Sequence, residues 1–588
     1  MSAPPRPSAR GWPARHVSQP LVAVLARRGR FTVAEPLFHR GFRTTVDRRG
    51  PVAAGEGDLV LVGMGKRGAR VVRVLGRPNV ARDVVEGLML DRGLHRTYPR
   101  SATAEAEDAA GSPYAPADRV DLTALPTFTV DPEEARDFDD AISARREDGA
   151  IRVWVHIADV TAYMRPGGPL DREAYRRGTS VYVPGAVEPM LPDVLSGDAC
   201  SLRPGEERLA VSVEMAMRGT EPVAVSFHRS RVRSDARLTY RQVDAIFHGR
   251  ERAAAPWAEP LAAAREVAAA LRERRDRRGA LEVDSAEPSF HFDAEGNVVR
   301  VVHEEQTESH RLIEELMVLA NEQVAGYLAD RRIPTLYRVH ERPDPPAVAA
   351  LVDQLASLDV PTPPLPRHMS PQHAAELAAE ASRLAAAESR RSGRGRQAFR
   401  TLVLRSLKQA SYSPRNVGHA GLASPRYCHF TSPIRRYPDV VAHRALLQGL
   451  GLDHTAHPAH ELGEAGVLCS AAERDAMAIE HEADDVCGAF LLERVLAEAD
   501  PASPPAFEGE VIGVIPRGAF VSFGPERFEG FLPVRRMPEW WELNEQETAL
   551  ITHGSGRALR LGDPIEVSVE RVDPPRGRVD LVPAGSYS

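Results

Sequence analysis

Four aspartates fall within ten residues, in the segment Asp131-Pro-Glu-Glu-Ala-Arg-Asp137-Phe-Asp139-Asp140. If this piece is extended, Asp137 and Asp139 face one way and Asp140 faces the other, and a turn near Asp131 would bring the fourth carboxylate back to them. Carboxylates held together in a dry interior repel one another, so such a cluster persists when hard divalent cations neutralise it. Paired ions would stabilise both the attacking and the leaving oxygen of a phosphodiester. The segment therefore predicts a Mg²⁺ site, with Mn²⁺ as the other candidate ion.

The same segment has two simpler interpretations. One is a solvated acidic turn, because Asp-rich loops are common on protein surfaces. The other is a single Ca²⁺ loop, which fits less well because the spacing lacks the central Gly and the final Glu of an EF-hand. On these ten residues alone the solvated turn stays open.

Charge and composition limit the class of protein. The 588 residues carry 75 Lys and Arg against 82 Asp and Glu, a net charge of −7. This excludes a uniformly basic nucleic-acid coat but not a local basic channel. Only Lys66 and Lys408 are lysines, so 75 less these two leaves 73 arginines. The planar fork of arginine suits bidentate phosphate contacts, although a GC-rich genome would produce the same skew.

Cysteine use and hydropathy bear on the compartment. The four cysteines form no C-x-x-C pair, so we expect neither a disulfide framework nor a zinc knuckle, and a reducing environment fits. No stretch approaches the ~18 continuous apolar residues of a membrane span, and the chain starts without the apolar core of a signal peptide. We therefore expect a cytoplasmic protein with no membrane contact, acting as a monomer.

The elements that must position the acidic segment follow from strand and linker patterns. We expect a flexible lead-in over 1–19, a small β-barrel plus a helix over 20–100, and a linker of small and polar residues over 101–119. Strands and helices mix over 120–500, including a helical apolar stripe over 310–329. Five short strands, at 507–514, 519–523, 530–533, 564–572 and 578–582, predict an OB-type barrel within a last domain over 505–584. The fold class is α+β and multidomain, a mixed α/β catalytic domain flanked by small β-barrels.

The acidic segment resembles the signature of the RNB nucleases, the family of exoribonuclease II and ribonuclease R. Further blocks similar to those of the family follow in the family's order: His156-Ile-Ala-Asp-Val-Thr-Ala-Tyr163, Gly178-Thr-Ser-Val-Tyr182-Val-Pro184, Pro189-Met-Leu-Pro192, Cys200-Ser-Leu202, Ala236-Arg-Leu-Thr-Tyr240, Leu312-Ile-Glu-Glu-Leu-Met-Val-Leu-Ala-Asn321, Tyr337-Arg-Val-His-Glu-Arg-Pro343 and His429-Phe-Thr-Ser-Pro-Ile-Arg435-Arg-Tyr-Pro-Asp439. An ordered set over roughly 120–500 is far more specific than one motif. The predicted last barrel is similar to the family's S1 RNA-binding domain.

This resemblance implies a 3′→5′ exoribonuclease that hydrolyses single-stranded RNA to nucleoside 5′-monophosphates. It implies that Asp131, Asp137, Asp139 and Asp140 hold magnesium and position the attacking water, with Asp139 as the most critical and Asp137 as a further catalytic residue. It also implies that Arg435 stabilises the charge that develops on the phosphate in the transition state.

The resemblance further implies contacts with the terminal nucleotides. Tyr182 is expected to stack on the terminal base, and Tyr240 to lie near the last nucleotides. Glu314 is expected near the 3′ nucleotide, whereas we expect Glu315 to be an ordinary helix-surface residue.

Other candidate RNA contacts come from basic and aromatic residues. Arg436 is expected to serve as a phosphate or structural contact. In the last barrel Phe520, Phe523 and Phe531 are stacking candidates, of which we expect at least one to belong to the core. The arginines of 390–400, and Arg231, Arg233 and Arg237, are candidate walls of a channel that follows the RNA backbone. A flexible basic loop explains 390–400 equally well.

The chain departs from the family's pattern in its aromatic clamp. Where the family has phenylalanine in a Gly-x-x-x-Phe context, this sequence has Gly279-Ala-Leu-Glu-Val283. We expect weaker clamping of the terminal base, or clamping by Phe290 or Phe292, and the final product length stays open. Residues 20–100 have room for about one barrel rather than two, so behaviour on structured RNA also stays open.

Two other functions remain to be separated from the nuclease. A catalytically inactive RNA-binding regulator on the same fold would have lost metal-binding aspartates, and all four are present. A metal phosphohydrolase acting on small substrates would not need the barrel over 505–584.

Overall fold

The computed structural model describes residues 21–39, 41–47, 52–65, 68–114, 119–147, 149–280, 286–452, 456–500 and 505–584. The expected lead-in over 1–19 and the residue Val283 lie outside these ranges. None of the helices in these ranges combines the length and apolarity needed to cross a bilayer.

The N-terminal part is a small β-barrel with helices beside it. Its five strands have the order β3-β2-β1-β4-β5, and a backbone bridge between Val46 and Ala69 joins the two ends of the sheet. Helix α1 buries Val84, Val85 and Leu88, and it packs against β1, β4 and β5. The bounds are β1 Leu21–Arg28, β2 Phe31–Pro36, β3 Thr44–Thr45, β4 Leu59–Gly65, β5 Gly68–Gly76, α1 Ala81–Asp91 and α2 Arg100–Gly111.

The central part is built around a seven-stranded sheet of order β14-β7-β8-β9-β12-β13-β6. Strands β7, β8, β9, β12 and β13 run antiparallel to one another, and β14 and β6 add parallel edges. The strands are β6 Val120–Asp121, β7 Phe128–Asp131, β8 Asp140–Glu147, β9 Ala150–Ala158, β10 Val181–Val183, β11 Ala186–Glu188, β12 Glu207–Arg218, β13 Glu221–Arg233, β14 Ala236–Thr239, β15 Glu287–Phe292, β16 Val298–Glu304, β17 Tyr337–Val339 and β18 Ser411–Ser413.

Nine helices follow in the described central part. They are α3 Pro169–Arg177, α4 Tyr240–Phe247, α5 Ala258–Arg278, α6 Glu308–Asp330, α7 Pro345–Ser357, α8 Pro371–Ser392, α9 Ala398–Ser406, α10 Tyr437–Gly449 and α11 Leu462–Glu498. The helix expected over 310–329 is confirmed as α6. Strand β9 is buried at every position from Val153 to Ala158, as expected for a strand with packing on both faces.

The segment over 101–119 is not simply a linker, and that expectation was wrong. Helix α2 begins at Arg100, and its buried alanines, Ala102, Ala106 and Ala109, recur every three or four residues. They pack α2 closely against α3, and Glu105 accepts a hydrogen bond from the backbone N–H of Leu170. Small residues that suggested a mobile chain instead allow two helices to approach each other.

Helix α11 holds the three parts of the molecule together. It has 37 residues and contacts α1 of the N-terminal part, β10 and β18 of the central part, and the turn Pro574–Arg576 of the C-terminal part. Since it touches each part, it determines where the two barrels lie relative to the sheet.

The C-terminal part contains the expected barrel. Strands β19, β20, β21, β26 and β25 form a closed barrel, which confirms the five-strand prediction. The sequence pattern did not predict a small sheet of β22, β23 and β24 inserted between β21 and β25. The bounds are β19 Ala506–Ile515, β20 Gly518–Phe523, β21 Phe528–Pro533, β22 Trp541–Leu543, β23 Ala549–Thr552, β24 Ala558–Arg560, β25 Pro564–Asp573 and β26 Arg578–Pro583.

Candidate active site

The acidic segment is the connection between two neighbouring strands of the central sheet. Asp131 ends β7 and Asp140 begins β8, while Asp137 and Asp139 lie in the loop between them. The two strands are antiparallel, with Phe128 opposite Ile142. This register brings the carboxylates at the two strand ends to the same edge of the sheet.

Asp139 joins this loop to the segment that carries Arg435. Its side chain is 5% exposed, and one carboxylate oxygen accepts a hydrogen bond from the backbone N–H of Ile434 at 2.8 Å. The other oxygen lies 3.5 Å from Nε of Arg435. Residues almost 300 positions apart therefore meet here, as the resemblance implied for Asp139 and Arg435.

Tyr182 reaches the same loop from the hairpin of β10 and β11. Its hydroxyl donates a hydrogen bond to Asp137 at 2.7 Å, and 37% of the residue stays exposed. The backbone N–H of Tyr182 donates to Glu480 of α11 at 2.8 Å. The tyrosine is thus held from two sides with part of its surface open to solvent.

Burial raises the pKa of three aspartates of the site, Asp131, Asp139 and Asp140. Burial raises the pKa of Asp139 well above its usual range, against the opposing effect of Arg435. Burial also raises the pKa of Asp131, and the charge of Asp140 raises it further. Burial raises the pKa of Asp140 as well, while Arg435 and Arg436 lower it. A divalent cation held by these carboxylates would offset the burial and repulsion that raise their pKa values.

The donor set of the loop fits a hard divalent ion. In the described ranges no three His, Cys, Asp or Glu side chains are close enough to hold a metal ion as they stand. However, Oδ2 of Asp131 is buried and has no hydrogen-bond partner. This buried carboxylate oxygen has no partner and lies next to other acids with raised pKa values. A cation bound here would supply the missing partner and would make ionisation of the acids more favourable.

Tyr240 begins α4 directly after β14, which lies beside β7. Its ring stacks on His310, with centroids 3.9 Å apart. Burial and the charges of Asp140 and Asp131 raise the pKa of its hydroxyl. The hydroxyl of Tyr240 is therefore close enough to the acidic loop to feel its charge, and its expected place near the last nucleotides stays a prediction.

Arg436 has a structural environment. It precedes α10 and makes two hydrogen bonds to Asp439, at 2.9 and 2.8 Å. Asp439 is fully buried and also accepts from the backbone N–H of Ser432. This pair connects Arg436 to the loop before α10, which supports the structural one of its two expected roles, and the phosphate contact stays a prediction.

Glu314 and Glu315 both pair with Arg275 of α5. Nη1 of Arg275 is 2.7 Å from Glu314, and Nε is 3.2 Å from Glu315. The expected place of Glu314 near the 3′ nucleotide stays a prediction. Glu315 is 3% exposed, and burial raises its pKa to about 6, so the prediction that it is a surface residue was wrong. It faces the packed interface of α5 and α6.

Phe523 was wrongly expected to bind RNA. It is 1% exposed and packs against Phe507 and Phe528 inside the barrel. Strand residues alternate between faces, so Phe520, three positions earlier on β20, is half-buried and lies 5.1 Å from the ring of Phe531. Phe520 and Phe531 remain the stacking candidates of this barrel.

The basic segment over 390–400 is largely engaged in ion pairs. Arg391 pairs with Glu388 on its own helix, and Arg394 pairs with Asp563 of the C-terminal part at 3.0 Å. Arg394, which was a candidate for the channel wall, therefore connects the central and C-terminal parts of the protein. Phe292, a proposed substitute clamp, packs against Gly185, with Arg82 over its ring.

Sequence reasoning missed the role of two residues near the site. Glu480 had no recognisable signal, because it meets Tyr182 across 298 positions of sequence. Arg237 was assigned to a channel wall, yet it donates to backbone carbonyls of the acidic loop. Arg237 belongs to the family-like block that ends at Tyr240. This membership is the signal in the sequence that could have linked it to the site.

Comparisons with known proteins identify the domains that carry these residues. The family model described as the RNB domain matches residues 119–451, and that described as the S1 RNA binding domain matches residues 505–582. Ribonuclease R of Escherichia coli is 36% identical over 79% of this chain and 57% of its own length. Ribonuclease R of Aquifex aeolicus is 34% identical over 87% of this chain and 72% of its own length.

One solved structure extends the likeness to the whole fold. It is Mycoplasma genitalium RNase R in complex with ribose-methylated single-stranded RNA, with a TM-score of 0.82 and 22% identity, and it covers 96% of this chain and 89% of that one. The chain thus spans little more than half the length of the Escherichia coli relative, but most of the length of the Mycoplasma protein.

Proposed function

Because the chain belongs to the RNB family, we propose that it is a 3′→5′ exoribonuclease that hydrolyses single-stranded RNA to nucleoside 5′-monophosphates. The observation that carries this proposal is the meeting of the acidic loop with Arg435 and Tyr182. Asp139 contacts the Arg435 segment and Asp137 contacts Tyr182. The acidic loop, the guanidinium of Arg435 and the ring of Tyr182 lie together. Cleavage at an RNA end needs these three functions: metal binding, phosphate binding and stacking on the terminal base.

In this proposal the residues of the site divide the work of one in-line displacement. Asp137 and Asp139 orient a water molecule, whose oxygen forms a bond to phosphorus while the bond to the 3′ oxygen of the preceding nucleotide breaks. The guanidinium of Arg435 donates to the phosphoryl oxygens, where negative charge grows in the transition state. Ser432, which accepts from Nη2 of Arg435 at 3.2 Å, keeps this side chain oriented. Tyr182 stacks on the terminal base.

Asp131, Asp137, Asp139 and Asp140 are the residues that would hold Mg²⁺ or Mn²⁺. When bound, such an ion would lower the pKa of the attacking water and offset the charge of the phosphate. All the donors are carboxylate oxygens, which supports a hard ion over zinc. Choosing between Mg²⁺ and Mn²⁺ requires comparing the activity with each ion alone.

Single-stranded RNA is the proposed partner, and Phe520 on the C-terminal barrel is a proposed second contact for it. A ring on a strand, with arginines nearby, suits the stacking of bases without sequence preference. We further propose a monomeric, cytoplasmic protein, in keeping with four cysteines that are all buried and unpaired and that suit a reducing compartment.

The test is a time course with two RNAs, one single-stranded and one duplex with a 3′ overhang, each labelled in turn at its 5′ and its 3′ end. We expect a 3′ label to appear at once as mononucleotide, and a 5′ label to shorten stepwise to a short end product. Fragments that result from cleavage at internal positions of the RNA would indicate an endonuclease. Binding without any release of 5′-monophosphates, in Mg²⁺ or in Mn²⁺, would indicate an RNA-binding regulator and refute the proposal.

A small phosphodiester, bis(4-nitrophenyl) phosphate, separates the remaining alternative. A phosphohydrolase for small substrates would cleave it about as efficiently as RNA. We expect it to be a poor substrate, because it offers neither a base for Tyr182 nor a strand for the barrel.

A further inference from the structure

The connection between β7 and β8 includes a tight turn that follows Asp131 directly. The backbone N–H of Ala135 donates to the carbonyl of Pro132 at 3.2 Å, and Glu133 and Glu134 on this turn are exposed. Asp131 is the last residue of β7 and lies opposite Thr239 of β14, whereas the turn that follows it has one internal hydrogen bond. A contact from a neighbouring strand would hold this turn, and with it the position of Asp131 relative to Asp139 and Asp140.

Arg237 contacts this turn from the neighbouring strand. Nη2 donates to the carbonyls of both Pro132 and Glu133, the latter at 2.7 Å. The guanidinium carbon also lies 5.7 Å from the ring centroid of Phe138, next to Asp139. One side chain therefore touches the loop just after its first aspartate and just before its third.

The backbone makes this reach possible. Arg237 lies on β14, which runs parallel to β7 with Thr239 opposite Asp131. Two strands in fixed register hold the base of the side chain, so its far end meets the turn in one orientation. Its positive charge also lowers the pKa of Asp131, against the rise that burial causes.

We propose that Arg237 is a positioning residue, which holds the turn over 132–135 so that the carboxylate of Asp131 joins those of the rest of the acidic loop. The inference deepens the proposed exoribonuclease function and rests on it for the meaning of the site. It differs from a role in binding RNA. Two carbonyls occupy Nη2, and Nε is buried without a hydrogen-bond partner, so these two nitrogens face the protein rather than solvent.

A matched control lies four residues away. Arg241 on α4 pairs with the carboxylate of Glu133 at 2.6 Å, and its side chain is 85% exposed. The variant Arg241→Ala removes the same charge from the same turn without touching the backbone carbonyls. Comparing it with Arg237→Ala separates the effect of the charge from that of the hold on the turn. Arg237→Lys keeps the charge but shortens the reach and removes the planar fork.

The experiment measures three quantities for each full-length variant. They are the affinity for Mn²⁺ alone by calorimetry, the affinity for single-stranded RNA in EDTA, and kcat and KM for mononucleotide release. For Arg237→Ala we expect a roughly 10–100-fold loss in Mn²⁺ affinity and in kcat, the size found when a residue that orients metal ligands is removed. KM, and the RNA affinity measured in EDTA, should both stay within about twofold of the parent's values. Arg237→Lys should lie in between, and Arg241→Ala should match the parent.

Two results would overturn the assignment. If Arg237→Ala and Arg237→Lys both keep the parent's Mn²⁺ affinity and kcat, the turn does not depend on this side chain. If RNA affinity in EDTA falls as much as kcat/KM, Arg237 is an RNA contact. Thermal unfolding shows whether Arg237→Ala is folded, and if it is not, Arg237→Lys decides. The Mn²⁺ titration needs no catalysis, so an inactive parent would refute the proposed function while still testing the position of Arg237.

Discussion

Replacing Asp139 by Asn tests whether the acidic loop is a catalytic site. Asn has nearly the same shape and keeps an oxygen that accepts the hydrogen bond from Ile434, which is 2.8 Å long in the parent. The substitution removes the negative charge and replaces the oxygen nearest Arg435 by an NH2 group, which donates hydrogen bonds. Its effects on folding and on catalysis can therefore be worked out separately.

The effect on folding should be small. At 3.5 Å and an effective dielectric constant of about 20, the attraction between Asp139 and Arg435 is roughly 5 kcal/mol before any costs are counted. Arg435 is 44% exposed, so water screens much of this, and burial of Asp139 opposes its ionisation. We expect the free energy of unfolding to change by no more than about 1 kcal/mol, in either direction.

The effect on catalysis should be large. Asp139 is proposed to hold the metal ion and to orient the attacking water, and misplacing a reacting group by about 1 Å can cost about 10²-fold in rate, or about 3 kcal/mol. We expect a loss of at least this size for Asp139→Asn, measured in single turnovers on 5′-labelled RNA, with RNA affinity in EDTA within about twofold of the parent. The control is Asp121→Asn, since Asp121 is exposed and lies on β6 at the far edge of the sheet.

Two results would refute this reasoning. Parent-like turnover by Asp139→Asn would mean that the carboxylate of Asp139 has no part in catalysis. A parallel loss of RNA binding and of folding stability would mean that Asp139 only ties the loop to the Arg435 segment.

Three further predictions concern RNA binding. Tyr182→Phe should bind RNA within about twofold of the parent, whereas Tyr182→Ala should lose about 1–3 kcal/mol of stacking, or roughly 5–150-fold in Kd, measured by fluorescence anisotropy. Phe523→Ala should lower the free energy of unfolding in urea by about 3–5 kcal/mol, while Phe520→Ala should weaken RNA binding by about 1–3 kcal/mol with little effect on unfolding. Glu510 on β19 accepts backbone hydrogen bonds at the N-terminus of α9. Glu510→Ala should weaken the attachment of the barrel to α9 by about 1 kcal/mol. It should therefore raise KM for long RNA but not for a short oligonucleotide.

Each of these comparisons includes its own control. Equal RNA affinities of Tyr182→Phe and Tyr182→Ala would show that the ring does not stack on a base. A normal urea profile for Phe523→Ala would contradict its place in the barrel core. Glu508→Ala, at an exposed position of the same strand, should leave both KM values unchanged, and an equal effect of Glu508→Ala and Glu510→Ala would argue against the contact with α9.

Much of the architecture followed from local pattern. The five strands of the C-terminal barrel alternate and are separated by Gly and Pro turns, and α6 carries an apolar stripe every three or four residues, so short-range rules suffice for both. Helix α2 was missed because alanines are equally suited to an exposed linker and to a helix in close contact with α3. Only the presence of α3 separates these cases.

The site divides in the same way. The sequence alone predicted the chemistry, because four carboxylates in ten residues, with blocks around them that resemble those of the family, indicate which groups would act. The tertiary structure decided how they are arranged. Asp139 meets Ile434 across 295 positions and Tyr182 meets Glu480 across 298, and no local pattern encodes such contacts. The tertiary structure also decided which side chains are buried. Phe523 and Glu315 were expected at the surface, but the barrel covers Phe523 and α5 covers Glu315. Chemistry is a property of residue types, whereas burial and long-range contact are properties of the packed chain.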